Sequence, residues 1–352
     1  MDSTNVGVSI LITAYNRKEY LLSAIQSALN QDFEKSNYEI IVVKNFEDNE
    51  IDKYISSHGV KSIISNHEEV GLMLADGIEN CKGDVICFLD DDDIFTERKL
   101  STIYKIFSYD SEVTYVHNQQ VFIDVYGDER PEYISKKKIP RPSTFENTSF
   151  KNVLKISREF EILPDYLWFN LSSVSIRRNV IIFYLSYLAN LKGHTDDFLF
   201  FSAFSFQKKS RLVILIDALT KYRNHSSATN VFKKISSNER RKRRAKMYTF
   251  FADSTRLIIS MVKDESAKKY LKSRLRYEEL MLYNVNRNFS KLFFHSCLVI
   301  LKRDLRWNEA GGKRRLKLYL GFLGMSFLYL LESKPIFRVI IKKIFPVTES
   351  LS

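Results

Sequence analysis

From residue 8 to about residue 90 the chain alternates two patterns of apolar positions. "VSILITA" (8–14), "YEIIVV" (38–43) and "DVICFLD" (84–90) are continuous apolar runs rich in β-branched residues, the pattern of strands buried on both faces. Between them, "KEYLLSAIQSALNQ" places Leu21, Leu22, Ile25, Ala28 and Leu29 at helical spacing. "NEIDKYISSHG" and residues 71–81 read as further helices, with a short strand near "KSIIS". Strands alternating with helices predict an α/β fold whose mostly parallel sheet is covered on both faces. Ligands in such a fold collect beyond the C-terminal ends of the strands.

The pattern then changes. "VTYVHNQQVFIDVYG" alternates like a strand or hairpin, and the prolines and lysines of "ISKKKIPRPSTFENTS" predict an exposed loop. From residue 231 the periodicity is mainly helical, in "NERRKRRAKMYTFFADSTRLIISMV" and "KKYLKSRLRYEELMLYNV". The expected organisation is an α/β domain over 1–230 and a basic helical region over 231–352.

Composition supports a folded chain, since 45% of its 352 residues are hydrophobic and 13% aromatic. Cys81, Cys87 and Cys297 show neither a disulfide framework nor metal-ligand spacing, which favours a reducing interior. The N-terminus lacks the basic and apolar segments of a signal peptide. The net charge of +12 is uneven, because residues 231–352 hold 28 Lys and Arg against 10 Asp and Glu. That excess calls for an anionic partner: lipid headgroups, nucleic acid or a phosphorylated substrate.

The run "LYLGFLGMSFLYLL" (318–331) is shorter than the roughly 20 residues needed to cross a bilayer. Flanked by Lys and Arg, it suits either a membrane interface or the core of a helical bundle. The basic cluster "NERRKRRAKM" (238–247) stands outside any recognised nucleic-acid fold.

The densest chemistry is "CFLDDDDIF", a buried strand ending in Asp90, Asp91, Asp92 and Asp93. Four adjacent carboxylates repel one another unless a cation or strong donors sit among them. As a plain acidic loop the run would cap the following helix. At the end of a parallel strand, oxygen ligands suit Mg²⁺ or Mn²⁺.

Five pieces in order resemble the inverting family-2 glycosyltransferases of GT-A fold: "VSILITAYNRKEYLLSAIQSALNQ", "YEIIVV", "CKGDVICFLDDDDIFTERKL", "GHTDDFLFFSAF" and "YRNHSSATN". The resemblance implies a nucleotide-diphosphate sugar donor and a divalent cation, with Asp92 on the metal and Asp90 on the ribose or a metal-bound water. Asp91, counted with the donor-binding residues, and Asp93 would orient the turn or cap the next helix. It implies a general base from the pair Asp196 and Asp197, with Asp197 matching the usual Asp. His225 would complete the metal shell or contact phosphate, and Arg223 would contact the diphosphate. Thr13, Ala14, Tyr15, Asn16 and Arg17 would wrap base and ribose; read locally, they are a helix-entry loop with Asn16 as N-cap. Where the family commonly has acidic residues after the second strand, this chain has Lys44 and Asn45. A Lys there is expected to change how the base is held.

The implied acceptor is a glycan or lipid-linked glycan, with the basic C-terminal region peripheral on the cytoplasmic face of a membrane. Two alternatives stay open on sequence alone: a catalytically silent sugar-nucleotide-binding or scaffold protein, and a basic nucleic-acid-binding protein.

Overall fold

The computed structural model describes residues 7–130, 142–146, 149–159, 164–206, 210–225, 237–288 and 291–292. In chain order these form β1 (Val8–Ala14), α1 (Leu21–Leu29), β2 (Tyr38–Lys44), α2 (Asn49–Ser57), β3 (Lys61–Ile64), α3 (Val70–Glu79), β4 (Val85–Asp90) and β5 (Ile94–Phe95). There follow α4 (Lys99–Tyr109), β6 (Val113–Ile123), β7 (Ser143–Glu146), α5 (Phe150–Glu159), β8 (Val174–Arg177), α6 (Arg178–Phe183), α7 (Leu185–Leu188), α8 (Thr195–Phe206), β9 (Arg211–Arg223), α9 (Ser237–Met261) and α10 (Glu265–Val285).

The expected parallel sheet is β3-β2-β1-β4. It forms because the three apolar runs have no polar face to give to water: Ile10, Leu11, Ile12, Ile41, Val42, Phe88 and Leu89 are all fully buried. Helix α1 adds Leu21, Ala24, Ile25 and Ala28 from one stripe. The side chain of Asp48 caps α2 by accepting from the backbone N–H groups of Glu50 and Ile51. Gly71 in α3 is required by close approach, since a Cβ there would meet the carbonyl oxygen of Leu188 at 2.0 Å.

Beyond β4 the sheet becomes mixed, continuing through β8, β6, β9 and β5, with β7 on β9. β8 runs antiparallel to both β4 and β6, whereas β6 and β9 are parallel with several register shifts. The stretch expected as strand or hairpin is the long strand β6, followed by a tight turn at Asp124–Asp128 and a single bridge from Ile123 to Glu129. Strand β5 pairs antiparallel with the end of β9, Ile94 facing Lys221 and Phe95 facing Thr220. The acid run is therefore a short turn pinned on one side by β4 and on the other by β5.

The chain divides into two compact units, one of residues 1–233 with 256–268, the other of 234–255 with 269–352. The helical reading beyond 231 is met by α9 and α10. Among the described residues no helix is long and apolar enough to cross a membrane, and the apolar run 318–331 lies outside them. Cys81 and Cys87 are buried free thiols, and Cys297 lies outside the described residues.

Candidate active site

The site lies where β1, β2 and β4 end. Thr13 of β1 pairs with Asp90, and its carbonyl accepts from the backbone N–H of Asp91 at 3.2 Å. The turn closes with Asp93 N–H donating to Asp90 C=O at 3.2 Å. These constraints bring carboxylate oxygens of Asp90, Asp92 and Asp93 within 4.8 Å of one another. Three hard oxygen donors at that spacing fit a Mg²⁺- or Mn²⁺-sized cation.

Electrostatics make the same point. Burial raises the pKa of Asp90 well above the usual carboxylate value, and the charges of Asp92, Asp93 and Asp91 add to it. Burial with the charge of Asp92 pushes Asp93 up to about 7, even though Asn170 Nδ2 and Arg223 N–H donate to it at 3.0 and 2.9 Å. A cluster held in this way is short of positive charge.

Asp91, counted with the donor-binding residues, is engaged by Arg17. It is buried, and it accepts Arg17 Nε at 2.8 Å and Arg17 Nη2 in a paired arrangement. Arg17 Nη2 also lies 2.6 Å from Asp92 Oδ2. Burial works against the guanidinium charge, but the bond to Asp91 and the charges of Asp92, Asp91 and Asp90 outweigh it and raise the Arg17 pKa. Asp93, expected only to orient the turn, is the third carboxylate of the cluster.

His225 reaches the cluster from the end of β9. Its Nε2 is 2.8 Å from Asp92 Oδ2 and 3.3 Å from Arg17 Nη1, and its ring packs on Tyr20 with centroids 5.1 Å apart. Arg223, expected to contact the diphosphate, is buried and braces the acid turn. Its Nε donates to Asp92 C=O at 2.8 Å, its Nη1 donates to the carbonyls of Asp124 and Val125, and its guanidinium lies over the Tyr20 ring.

The nucleotide-side loop also differs from expectation in two places. Asn16 is not a helix cap: it takes a left-handed φ of 53°, and α1 begins only after Tyr20. Asn16 N–H donates to Asn45 Oδ1 at 2.8 Å and Asn45 Nδ2 returns a bond to Asn16 Oδ1 at 2.9 Å, so the two residues lock the loops after β1 and β2 together. Lys44, expected to disturb base recognition, is fully buried and turned away. Its Nζ bonds Phe46 C=O at 2.5 Å and Asp52 Oδ1 at 2.8 Å. Tyr15 stands 42% exposed beside this lock, available for contact, while Ala14 is buried in β1.

The second acidic pair opens α8. Asp197 is buried, with Trp168 Nε1 donating to Oδ1 at 2.7 Å and His194 Nδ1 lying 3.0 Å from Oδ2. The indole is fixed in turn by stacking on Phe200 at 4.2 Å. Asp196 is only half-buried and accepts from the backbone N–H of Asn170 at 3.3 Å. Asn170 thus touches both acidic centres, Asp93 with its side chain and Asp196 with its backbone. Sequence reading passed over Asn170, Trp168 and His194. The weak signals were an Asn before "LSS" and the Gly-His ahead of "TDD".

A turn of clustered carboxylates at the end of parallel strands, facing a second acid pair across Asn170, fits the sugar-nucleotide transferases. Residues 9–166 match the family model described as glycosyl transferase family 2, which marks this N-terminal part of the chain as a glycosyltransferase domain. Among curated proteins it is similar to the poly(ribitol-phosphate) β-N-acetylglucosaminyltransferase TarP of Staphylococcus aureus, 24% identical over 307 residues that cover 81% of this chain and 87% of TarP. An uncharacterized glycosyltransferase of Haemophilus influenzae is 28% identical over 155 residues, 41% of this chain and 59% of that protein. Among solved structures, S. aureus TarS 1–349 in complex with UDP-GlcNAc superposes with a TM-score of 0.58 at 15% identity, covering 92% of this chain and 91% of that one. The mannosyltransferase PcManGT of Pyrobaculum calidifontis, in complex with GDP-Man and Mn²⁺, gives 0.51 at 10% identity, covering 93% and 87%. These likenesses establish the GT-A architecture.

Proposed function

We propose that the chain is an inverting, cation-dependent transferase that moves a sugar from a nucleoside-diphosphate sugar to a hydroxyl or phosphate acceptor on a glycan or lipid-linked glycan. The carrying observation is the approach of Asp90, Asp92 and Asp93 to within 4.8 Å of one another, beside an acid pair reached through Asn170. A divalent cation held by those three carboxylates would offset the charge that builds on a departing diphosphate. On this chain, His225 and Arg17 hold the Asp92 carboxylate in place, and Arg223 holds the turn that carries it. An acceptor oxygen attacks the anomeric carbon as the bond from that carbon to the phosphate oxygen breaks. The acceptor proton passes to a carboxylate of the second pair, and the nucleoside diphosphate leaves.

Within that pair exposure favours Asp196, which is half-buried where Asp197 is buried, its oxygens accepting from the backbone N–H groups of Asp197 and Asn170 while those of Asp197 are held by Trp168 and His194. Asp197 then fixes the start of α8. The similarity to TarP, together with the UDP-GlcNAc bound to TarS, makes UDP-N-acetylglucosamine the first donor to try, and the TarP name makes a polyol-phosphate polymer the first acceptor. We extend this to a two-part organisation, catalytic over 1–230 and basic over 231–352, the latter resting peripherally on the cytoplasmic face of a membrane. The exposed Arg241, Lys242, Arg243, Arg244 and Lys246 support the anionic contact.

The test is release of nucleoside diphosphate from UDP-N-acetylglucosamine and from a panel of other sugar nucleotides, with Mn²⁺ or Mg²⁺. Activity abolished by Asp92→Ala and by chelation supports the reading. No turnover or binding with any donor overturns it in favour of a silent scaffold. Flotation of the full chain with anionic vesicles checks the membrane contact.

A further inference from the structure

Asn170 combines three features that packing does not explain. It takes φ 79° and ψ 120°, a conformation that costs an L-residue energy and that glycine adopts freely. It is only 5% exposed. Its Nδ2 donates to Asp93 Oδ2 at 3.0 Å, while Oδ1 on the same amide is buried with no hydrogen-bond partner among the described residues. Reversing the amide would set Oδ1 against a carboxylate oxygen, so the bond to Asp93 fixes the orientation. An acceptor buried without a donor is costly, and its persistence at a strained backbone position points to a partner that is not among the described residues.

The position identifies that partner. Asn170 stands between Asp93 of the cation cluster and Asp196 of the second pair. In a displacement with the leaving diphosphate at the first centre and the base at the second, the donor sugar ring lies between them. Phosphates and carboxylates bring no proton to an amide oxygen at neutral pH, whereas a sugar hydroxyl or a sugar amide N–H does. We propose that Asn170 is a donor-sugar specificity residue whose Oδ1 accepts a hydrogen bond from an O–H or N–H of the transferred sugar. The inference rests on the transferase reading above.

The test is calorimetric binding to the full chain of UDP, GDP, UDP-glucose, UDP-N-acetylglucosamine and GDP-mannose in Mn²⁺, comparing wild type with Asn170→Gly. Glycine keeps the backbone N–H to Asp196, accepts the φ without strain and removes only the amide side chain. The expected result is a loss for the matching sugar nucleotide roughly tenfold greater than any loss for the bare nucleotide, the latter reporting the removed bond to Asp93. A loss confined to UDP-N-acetylglucosamine assigns the donor to the acetamido N–H, and a loss shared with UDP-glucose assigns it to a ring hydroxyl; both support the proposal. Should Asn170→Gly weaken UDP or GDP as much as the sugar nucleotide, or leave both unchanged, the sugar contact is refuted while transferase function stands. A wild type that binds no sugar nucleotide overturns both.

Discussion

His225 Nε2 lies 2.8 Å from Asp92 Oδ2 across 133 residues of sequence, so the last strand of the α/β unit supports a carboxylate at the end of its fourth. The contact makes His225 an orienting residue for the cation cluster. Replacing it with Ala should raise the Mn²⁺ concentration that half-saturates transfer roughly 10- to 100-fold, as loss of a ligand's outer partner generally does. Asp92→Ala should go further, lowering kcat at least about 100-fold at any Mn²⁺ concentration. Metal titrations of both variants measure the difference, and equal responses would argue against the assigned roles.

The second acidic pair separates by burial. Asp196→Asn should lower kcat by about 10²- to 10⁴-fold, the usual contribution of a general base, with the melting temperature near that of wild type. Asp197→Asn leaves the Trp168 and His194 nitrogens competing for one carbonyl oxygen, and should cost about 1–3 kcal/mol of stability. Thermal melts set beside single-turnover rates distinguish the two, and a reversal would make Asp197 the base, as its match to the family motif implies.

A pH effect on stability follows from His117. Burial lowers its pKa from 6.5 to about 4, against the bond from Nε2 to Phe169 C=O at 2.8 Å, and its Nδ1 is buried without a partner among the described residues. The unfolded chain takes up this proton near pH 6.5 and the folded chain only near pH 4, so stability is complete above 6.5 and is lost as pH falls between those values. The loss amounts to about 3 kcal/mol at most. Denaturant melts of wild type and His117→Gln from pH 7 to 4 should diverge, the variant being the less acid-sensitive.

Lys44 and Asp52 offer a prediction about what does not change. Asp52→Ala strands a buried ammonium with only the Phe46 carbonyl and should destabilise the fold by about 1–2 kcal/mol, because Asp52 is itself partly exposed. Donor preference should be unaltered. Asn45→Asp, which removes the bond to Asn16 Oδ1, should instead change sugar-nucleotide affinity while leaving stability nearly constant. Competition binding with UDP and GDP decides between them.

Strands β1, β2 and β4 and the acid turn were legible because continuous apolar runs and a charged stop are local signals. The insertion of β8 between β4 and β6 was not, since an antiparallel pairing of residues nearly a hundred positions apart leaves no mark on either segment. Side-chain direction was equally hidden. Four consecutive aspartates look alike in sequence, yet the turn sends Asp90, Asp92 and Asp93 to one place and gives Asp91 to Arg17. Lys44 and Arg223 read as charges near a ligand, and the fold spends both on its own carbonyls and on Asp52. Asn170 was overlooked because its importance lies in a backbone angle and an unmet acceptor, neither of which a letter reveals.

The closing strand β9 ties the catalytic architecture to the order of synthesis. A nascent polypeptide that has emerged only through Phe206 already owns both acid centres, but the wall that Arg223 and His225 build against Asp92 and Asp93 is missing. Competence for the cation should therefore arrive late and abruptly, as β9 inserts between β6 and β5, and fragments ending before residue 211 should be blind to Mn²⁺ however well their first strands have folded.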